Sequence, residues 1–237
     1  MSVLDLQRRV EPEILDGLDA DEPQARRSRR DLQRVHRVMR SASILQAALA
    51  RLQLRAQPVR LLELGAGDGT LLLRLAAGLR PRWRDVDLTL LDRLDCVSAD
   101  TLAAYAGLGW RVRVLRCDVL AWAGASESAR FDLCIANLFL HHFEAQPLAA
   151  LLRRTAEVTD AFIACEPRRS RFALWASRLV FFLGANAVTR NDAVASVDAG
   201  FAGGELSALW PEAARWQLDE RLAWPFTHCF TARRLSA

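Results

Sequence analysis

The sequence contains no lysine, so all 32 basic residues among its 237 are arginine. A GC-rich coding bias accounts for that. The net charge of +4 is modest and spread along the chain, which excludes the concentrated basic footprint of a nucleic-acid binder. No Cys-x-x-Cys occurs, and the five cysteines (Cys96, Cys117, Cys134, Cys165, Cys229) are odd in number, arguing against a disulfide framework or a zinc site. Four of them fall in or beside predicted strands, as buried reduced thiols of a cytoplasmic protein do. Residues early in the chain include acids and no apolar run, which predicts no signal peptide. The most apolar stretch, 172–188, is interrupted by Arg178 and falls short of a membrane span. Internal repeats and low-complexity tracts are absent as well. What remains, 51% hydrophobic and 25% charged, is the make-up of a large globular domain with an appendage.

One stretch organises the rest. Residues 59–64 are a short apolar run, the pattern of a strand buried on both faces, and Gly65-Ala66-Gly67-Asp68-Gly69 follows before a leucine-rich helix opening at Thr70. Alternating glycines let the backbone turn sharply and expose its N–H groups to a ligand. The spacing is not the G-x-G-x-x-G that grips a dinucleotide pyrophosphate, and Glu63 suits a cationic or hydroxyl-rich ligand better than two phosphates. Later apolar runs predict further strands over 86–92, 110–116, 131–137 and 160–167, with last strands near 216–222 and 228–233. Asp92 closes the second strand 25 residues beyond Gly67, where an acid either meets ribose hydroxyls or caps the next helix. Asp118 follows the third strand, and His141 and His142 follow the fourth at the sheet edge where α/β folds bind ligands.

Glu63-Leu-Gly-Ala-Gly-Asp-Gly69 resembles the first motif of class I S-adenosylmethionine (SAM)-dependent methyltransferases, and the family's later motifs recur in order. The resemblance implies an α/β, Rossmann-like seven-stranded sheet with helices on both faces over 57–237, an N-terminal helical cap over 1–56, and a lid insertion over 168–211. It implies SAM as cofactor and S-adenosylhomocysteine (SAH) as product. The cofactor would meet Glu63, Gly65, Ala66 and Gly67, then Asp92 with Arg93, then Asp118 and Val119, and Asn137. Arg40, in an arginine-rich helix predicted from Ser28 to Leu49, would either reach the cofactor carboxylate or belong to a solvated face; that face could also dock an acidic carrier protein.

No Asn/Asp-Pro-Pro-aromatic follows the fourth strand, which sets the chain apart from methyltransferases of amino groups. A histidine there resembles small-molecule methyltransferases, and 166–171 with 189–201 resemble a bacterial branch associated with polyketide-synthase pathways. The expectations are thus O-methylation of an aromatic, phenolic or polyketide-like small molecule in secondary metabolism, with His142 or His141 as general base. Carbon methylation of a quinone-type ring and an inactive SAM-fold partner in a biosynthetic complex are the alternatives. Glu166, Arg168, Trp175 and Asp192 are expected on the acceptor side, or else in packing and salt bridges within the lid. No metal is expected, because adjacent histidines do not easily share one ion. Monomer and homodimer both fit.

Overall fold

The computed structural model describes residues 6–19, 22–52, 54, 60–79, 83–125, 129–178, 184–223 and 225–235. Expected positions at Val59, Leu179, Phe182, Leu183 and the boundary at 56/57 lie outside them.

Seven strands form one sheet in the order β3-β2-β1-β4-β5-β7-β6. They are β1 (Arg60–Leu64), β2 (Asp87–Asp92), β3 (Arg111–Arg116), β4 (Leu133–Asn137), β5 (Ala161–Pro167), β6 (Trp216–Ala223) and β7 (Thr227–Arg234). The first five run parallel, and β7 enters antiparallel between β5 and β6. The order reverses between β1 and β4, leaving a crevice at their carboxyl ends where such sheets hold ligands. Side chains alternate between two cores, as strand geometry requires. Leu61, Leu88, Leu133 and Ile163 face one core; Leu62, Leu91, Cys134 and Phe162 face the other.

The chain begins with a strap over 6–19 that ends in a 3-10 turn, Ile14–Gly17. Two helices follow, α1 (Pro23–Val38) and α2 (Ser41–Leu52). The sequence pattern predicts one continuous stripe there; instead Arg40 takes φ 57° and breaks it. The break turns Leu45, Ala48, Leu49 and Leu52 of α2 into the core that contains β1, so α2 is not an appendage. Between strands come α3 (Thr70–Leu79), α4 (Ala99–Gly107), α5 (Val119–Gly124) and α6 (Ala145–Val158). The insertion after β5 carries α7 (Arg171–Ser177) and α8 (Ala187–Asp198), and α9 (Glu205–Leu209) precedes β6. Within that insertion the Asn186 side chain accepts from the Thr189 N–H at 2.8 Å and caps α8. Among the described residues no helix is long and apolar enough to cross a membrane.

The glycine turn joins β1 to α3. Gly65, Gly67 and Gly69 have φ of 65°, 55° and 69°, so each sits in the left-handed region that side chains resist. At Gly65 a Cβ would lie 2.2 Å from the ring of Phe139, which reaches over from the end of β4. Gly65→Ala should therefore cost about 2 kcal/mol or more, combining backbone strain with overlap. Thermal melting measures this; an unchanged Tm would mean that the ring swings aside freely.

Candidate functional site

The floor of the crevice is made by strand ends. Asp92, at the tip of β2, accepts from the Gly67 N–H at 2.8 Å through one oxygen and from the Leu94 N–H at 2.9 Å through the other. It thereby fixes the glycine turn while each oxygen retains a lone pair for a ligand. Asp68 caps α3 through the Thr70 N–H and hydroxyl, and its other oxygen accepts from the Gln33 amide at 2.6 Å. Glu63 is buried beneath them, with one oxygen that has no hydrogen-bond partner. Burial first, then the charges of Asp68 and Asp92, push its carboxyl up to about 8. An orphaned acid of this kind, lining a cavity beside an open glycine turn, fits a ligand that brings its own ammonium group. Farther along, Asp118 caps α5 through the N–H groups of Leu120 and Ala121, and buried Val119 lies beside it.

The rim is built from two 3-10 turns that face each other. Beyond β4, Leu138 takes φ 51° and the chain enters the turn Leu140–His142. Glu166, fully buried on β5, gathers that turn: it accepts from the N–H groups of Phe139, Leu140 and His141 at 3.0 to 3.3 Å. The same carboxylate meets His141 Nδ1 at 2.8 Å, and Glu13 of the strap meets His141 Nε2 at 3.3 Å. Burial alone would lower the affinity of His141 for its proton, but the two carboxylates outweigh it and raise the imidazole to about 9. His141 is thus a buried cation at neutral pH. His142 differs. It is partly open to the cavity, and its Nδ1 lies 3.3 Å from Asp16 of the strap. Burial raises the Asp16 carboxyl, but the hydrogen bond and charge of His142, with Arg93, bring it below its ordinary value.

The strap is held along its length. Arg8 donates to the carbonyls of Ala199, His141 and Phe143; the Arg9 N–H meets Asp198, and Arg169 holds the Leu6 carbonyl at 2.6 Å. The Ile14 and Leu15 N–H groups donate to the Asp192 carboxylate at 2.9 and 3.0 Å, and Ser196 bonds Glu13. Arg93 donates to both the carbonyl and the side chain of Asp16.

One cavity of about 750 Å³ runs through these parts. Of the residues singled out in the sequence, Glu63, Gly65, Ala66, Gly67, Asp92, Arg93, Asp118, Val119, Asn137, His141, His142, Trp175 and Asp192 line it. Three do not. Arg40 is exposed at the break between α1 and α2, while Arg29 and Gln33 of α1 reach the cavity in its stead. Glu166 is occupied beneath the histidine turn rather than facing an acceptor. Arg168 bridges to Phe201 through its backbone and stays outside. Asp192 and Arg93 line the wall but are engaged with the strap, and His141 is too basic to take a proton at neutral pH.

Sequence reasoning missed Glu13 and Asp16. Acids also stand at 11, 19, 21 and 22, so nothing in the sequence singles out Glu13 and Asp16 or connects them to residues 141 and 142. Glu13, His141 and His142 each bring a ligand-capable atom within 4.8 Å of the others. The two imidazoles lie 4.3 Å apart at an interplanar angle of 32°, so their in-plane lone pairs run alongside rather than converge. The cluster is built for ion pairing more than for holding a metal.

Residues 61–161 match the family model described as a methyltransferase domain. No curated protein matches the chain. Solved structures that resemble it include an O-methyltransferase family protein from Burkholderia thailandensis, at TM-score 0.60 and 18% identity over 92% of this chain. This chain spans only 64% of that protein's length. The plantazolicin methyltransferase BpumL, in complex with a monoazolic desmethylPZN analog and SAH, aligns at TM-score 0.64 and 13% identity, covering 90% of this chain and 91% of its own. The magnesium protoporphyrin IX methyltransferase ChlM from Synechocystis PCC 6803, with bound SAM, aligns at 0.52 and 11% identity, covering 91% and 88%. These likenesses give the fold, and the match over residues 61–161, which includes the glycine turn, identifies a methyltransferase domain within the chain.

Proposed function

We propose that this protein methylates a hydroxyl oxygen of an apolar, aromatic small molecule, with His142 as general base. The observation that carries the reading is one cavity lined both by the glycine turn with Asp92 and by His142, whose Nε2 has no partner among the described residues. Its volume of about 750 Å³ has room for a cofactor and a second molecule. Asp92 supports binding of ribose hydroxyls, Glu63 supports binding of an ammonium group, and Asp118 with Val119 supports a place for the base. When bound, SAM supplies an electrophilic methyl group on a sulfonium.

The chain's own residues then have three tasks. They orient the acceptor, exclude water and remove its proton. Leu15, Phe143, Phe172 and Val197 give the acceptor side an apolar wall suited to a flat ring. Phe172 stacks on both Trp175 and Phe226, extending that wall to the mouth. Orientation in a dry pocket can supply much of the rate, up to ~7–11 kcal/mol in the ideal case. A hydroxyl acceptor must also lose a proton, and His142 Nε2 is the imidazole nitrogen with no carboxylate on it. Labelled-methyl transfer to a panel of phenols, catechols and quinones, with SAH calorimetry alongside, tests the assignment.

Two outcomes are expected of substitutions. His142→Ala should lower turnover of a phenolic acceptor at least ~10-fold with SAH affinity near that of the parent; undiminished turnover would remove His142 as the base.

Glu63→Gln probes the cradle through pH. In the ligand-free protein the Glu63 carboxyl holds its proton up to about 8, whereas in the unfolded chain it loses it near 4.5. Between those values the folded state binds more protons, so this group's contribution makes stability fall as pH rises. Glu63→Gln removes that slope and should make the ligand-free protein more stable at pH 7, by about 3 kcal/mol. The same substitution should weaken SAH binding, and parent binding should tighten from pH 6 to 8 as the acid ionises. A pH-independent affinity would contradict an ammonium partner for Glu63.

A further inference from the structure

His142 has a free nitrogen only if its other nitrogen carries the proton, and the group facing that other nitrogen comes from far outside the methyltransferase domain. Glu13 and Asp16 lie three residues apart about a 3-10 turn, a spacing that sets both side chains on one side. Opposite them, His141 and His142 lie side by side on their own 3-10 turn, their ring centres 4.3 Å apart and their planes tilted by 32°. The pairing is one to one: Glu13 to His141 and Asp16 to His142, each at 3.3 Å. We propose that Asp16 is the positioning acid of His142, and that the Glu13–His141–Glu166 clamp sets the register which brings it there. The active base is then assembled from the N-terminal strap and the β4 edge together. This rests on the reading of His142 as the base.

The groups around His142 explain how the acid acts. Asp16 Oδ2 faces His142 Nδ1, while Asp16 Oδ1 takes a hydrogen bond from Arg93 at 3.0 Å. His141, a cation already spent on two carboxylates, lies alongside, and Glu13 is the other acid nearby. An ionised Asp16 only accepts, so it holds the neutral imidazole with its proton on Nδ1 and its lone pair on Nε2. In the reaction the acceptor O–H bond breaks as the Nε2–H bond forms, and the imidazolium so produced lies beside the same carboxylate.

Arg93 makes the test sharp, because a guanidinium can only donate. In Asp16→Asn the amide oxygen must turn to Arg93, which leaves the amide NH2 facing His142 Nδ1. The ring must then accept at Nδ1 and carry its proton on Nε2, the wrong tautomer for a base. Asp16→Ala imposes no tautomer. A merely structural acid predicts the reverse order, since Asn preserves shape and Ala does not.

The chain has only four histidines, so long-range ¹H–¹⁵N spectra can read the His142 tautomer without any acceptor, with His142→Gln giving the assignment. Parent protein should show the Nδ1–H form and Asp16→Asn the Nε2–H form. With catechol as probe acceptor, Asp16→Asn should lose on the order of 100-fold in kcat and Asp16→Ala on the order of 10-fold. Asp16→Glu should recover part of the loss, SAH affinity should stay within about threefold throughout, and Glu11→Gln on the exposed part of the strap serves as the unchanged control. An Asp16→Asn protein that keeps the Nδ1–H tautomer, or outperforms Asp16→Ala, overturns the assignment. His142→Ala at full activity would overturn the base itself and Asp16 with it; His142→Ala inactive beside an unimpaired Asp16→Asn would overturn Asp16 alone.

Discussion

A single buried carboxylate sets the geometry of the rim. Glu166 lies on β5 with no exposure, and it accepts from three successive N–H groups of the neighbouring β4 edge as well as from His141. Those N–H groups follow a residue at positive φ and would otherwise point into the protein without partners, at a cost of 1–3 kcal/mol each. With them gathered, the backbone turns sharply enough to bring two adjacent imidazoles side by side and to lay Phe139 across Gly65. The sheet supplies the rigidity: β4 and β5 are in register from Cys134↔Phe162 to Asn137↔Cys165, so Glu166 sits one step past the last paired residue.

The cofactor side works by the opposite device. Where Glu166 is saturated, Glu63 is left with an unpartnered oxygen and two other acids, Asp68 and Asp92, in close company. Such a group costs stability in the empty protein and gains it back only when a cation arrives, which is how a site comes to favour its ligand over water. The glycines contribute in the same sense: left-handed backbone at three alternate residues costs conformational entropy and leaves room above the turn.

The fold was legible in the sequence because its signals are local. Buried parallel strands are short apolar runs, and the glycine turn with Glu63, Asp92 and Asp118 at successive strand ends needs no knowledge of tertiary contacts. The sites of failure are residues whose role depends on something distant. Glu166 and Asp192 carry charge in a substrate-side stretch, yet each is consumed by backbone N–H groups, 25 to 27 positions away for Glu166 and 177 to 178 for Asp192. Arg40 has the right residue type on the right helix, but a left-handed break turns it outward and gives its place to Arg29 and Gln33. His141 and His142 are equivalent in sequence; only the count of carboxylates around each separates a buried cation from an imidazole with a free nitrogen.

The strap's position has a consequence for how the site operates. It covers the rim, yet its attachments are mostly polar: carbonyls held by Arg8 and Arg169, N–H groups held by Asp192, and the two acid–histidine pairs. Between residues 6 and 19 it contributes no side chain to either hydrophobic core. An element fastened in this way, without a buried apolar anchor, depends on its charged groups, each such bond contributing about 1.5–3 kcal/mol net. The strap lies before residue 61, outside the matched methyltransferase domain, so the acids that meet the histidine turn come from a different part of the chain than the glycine turn.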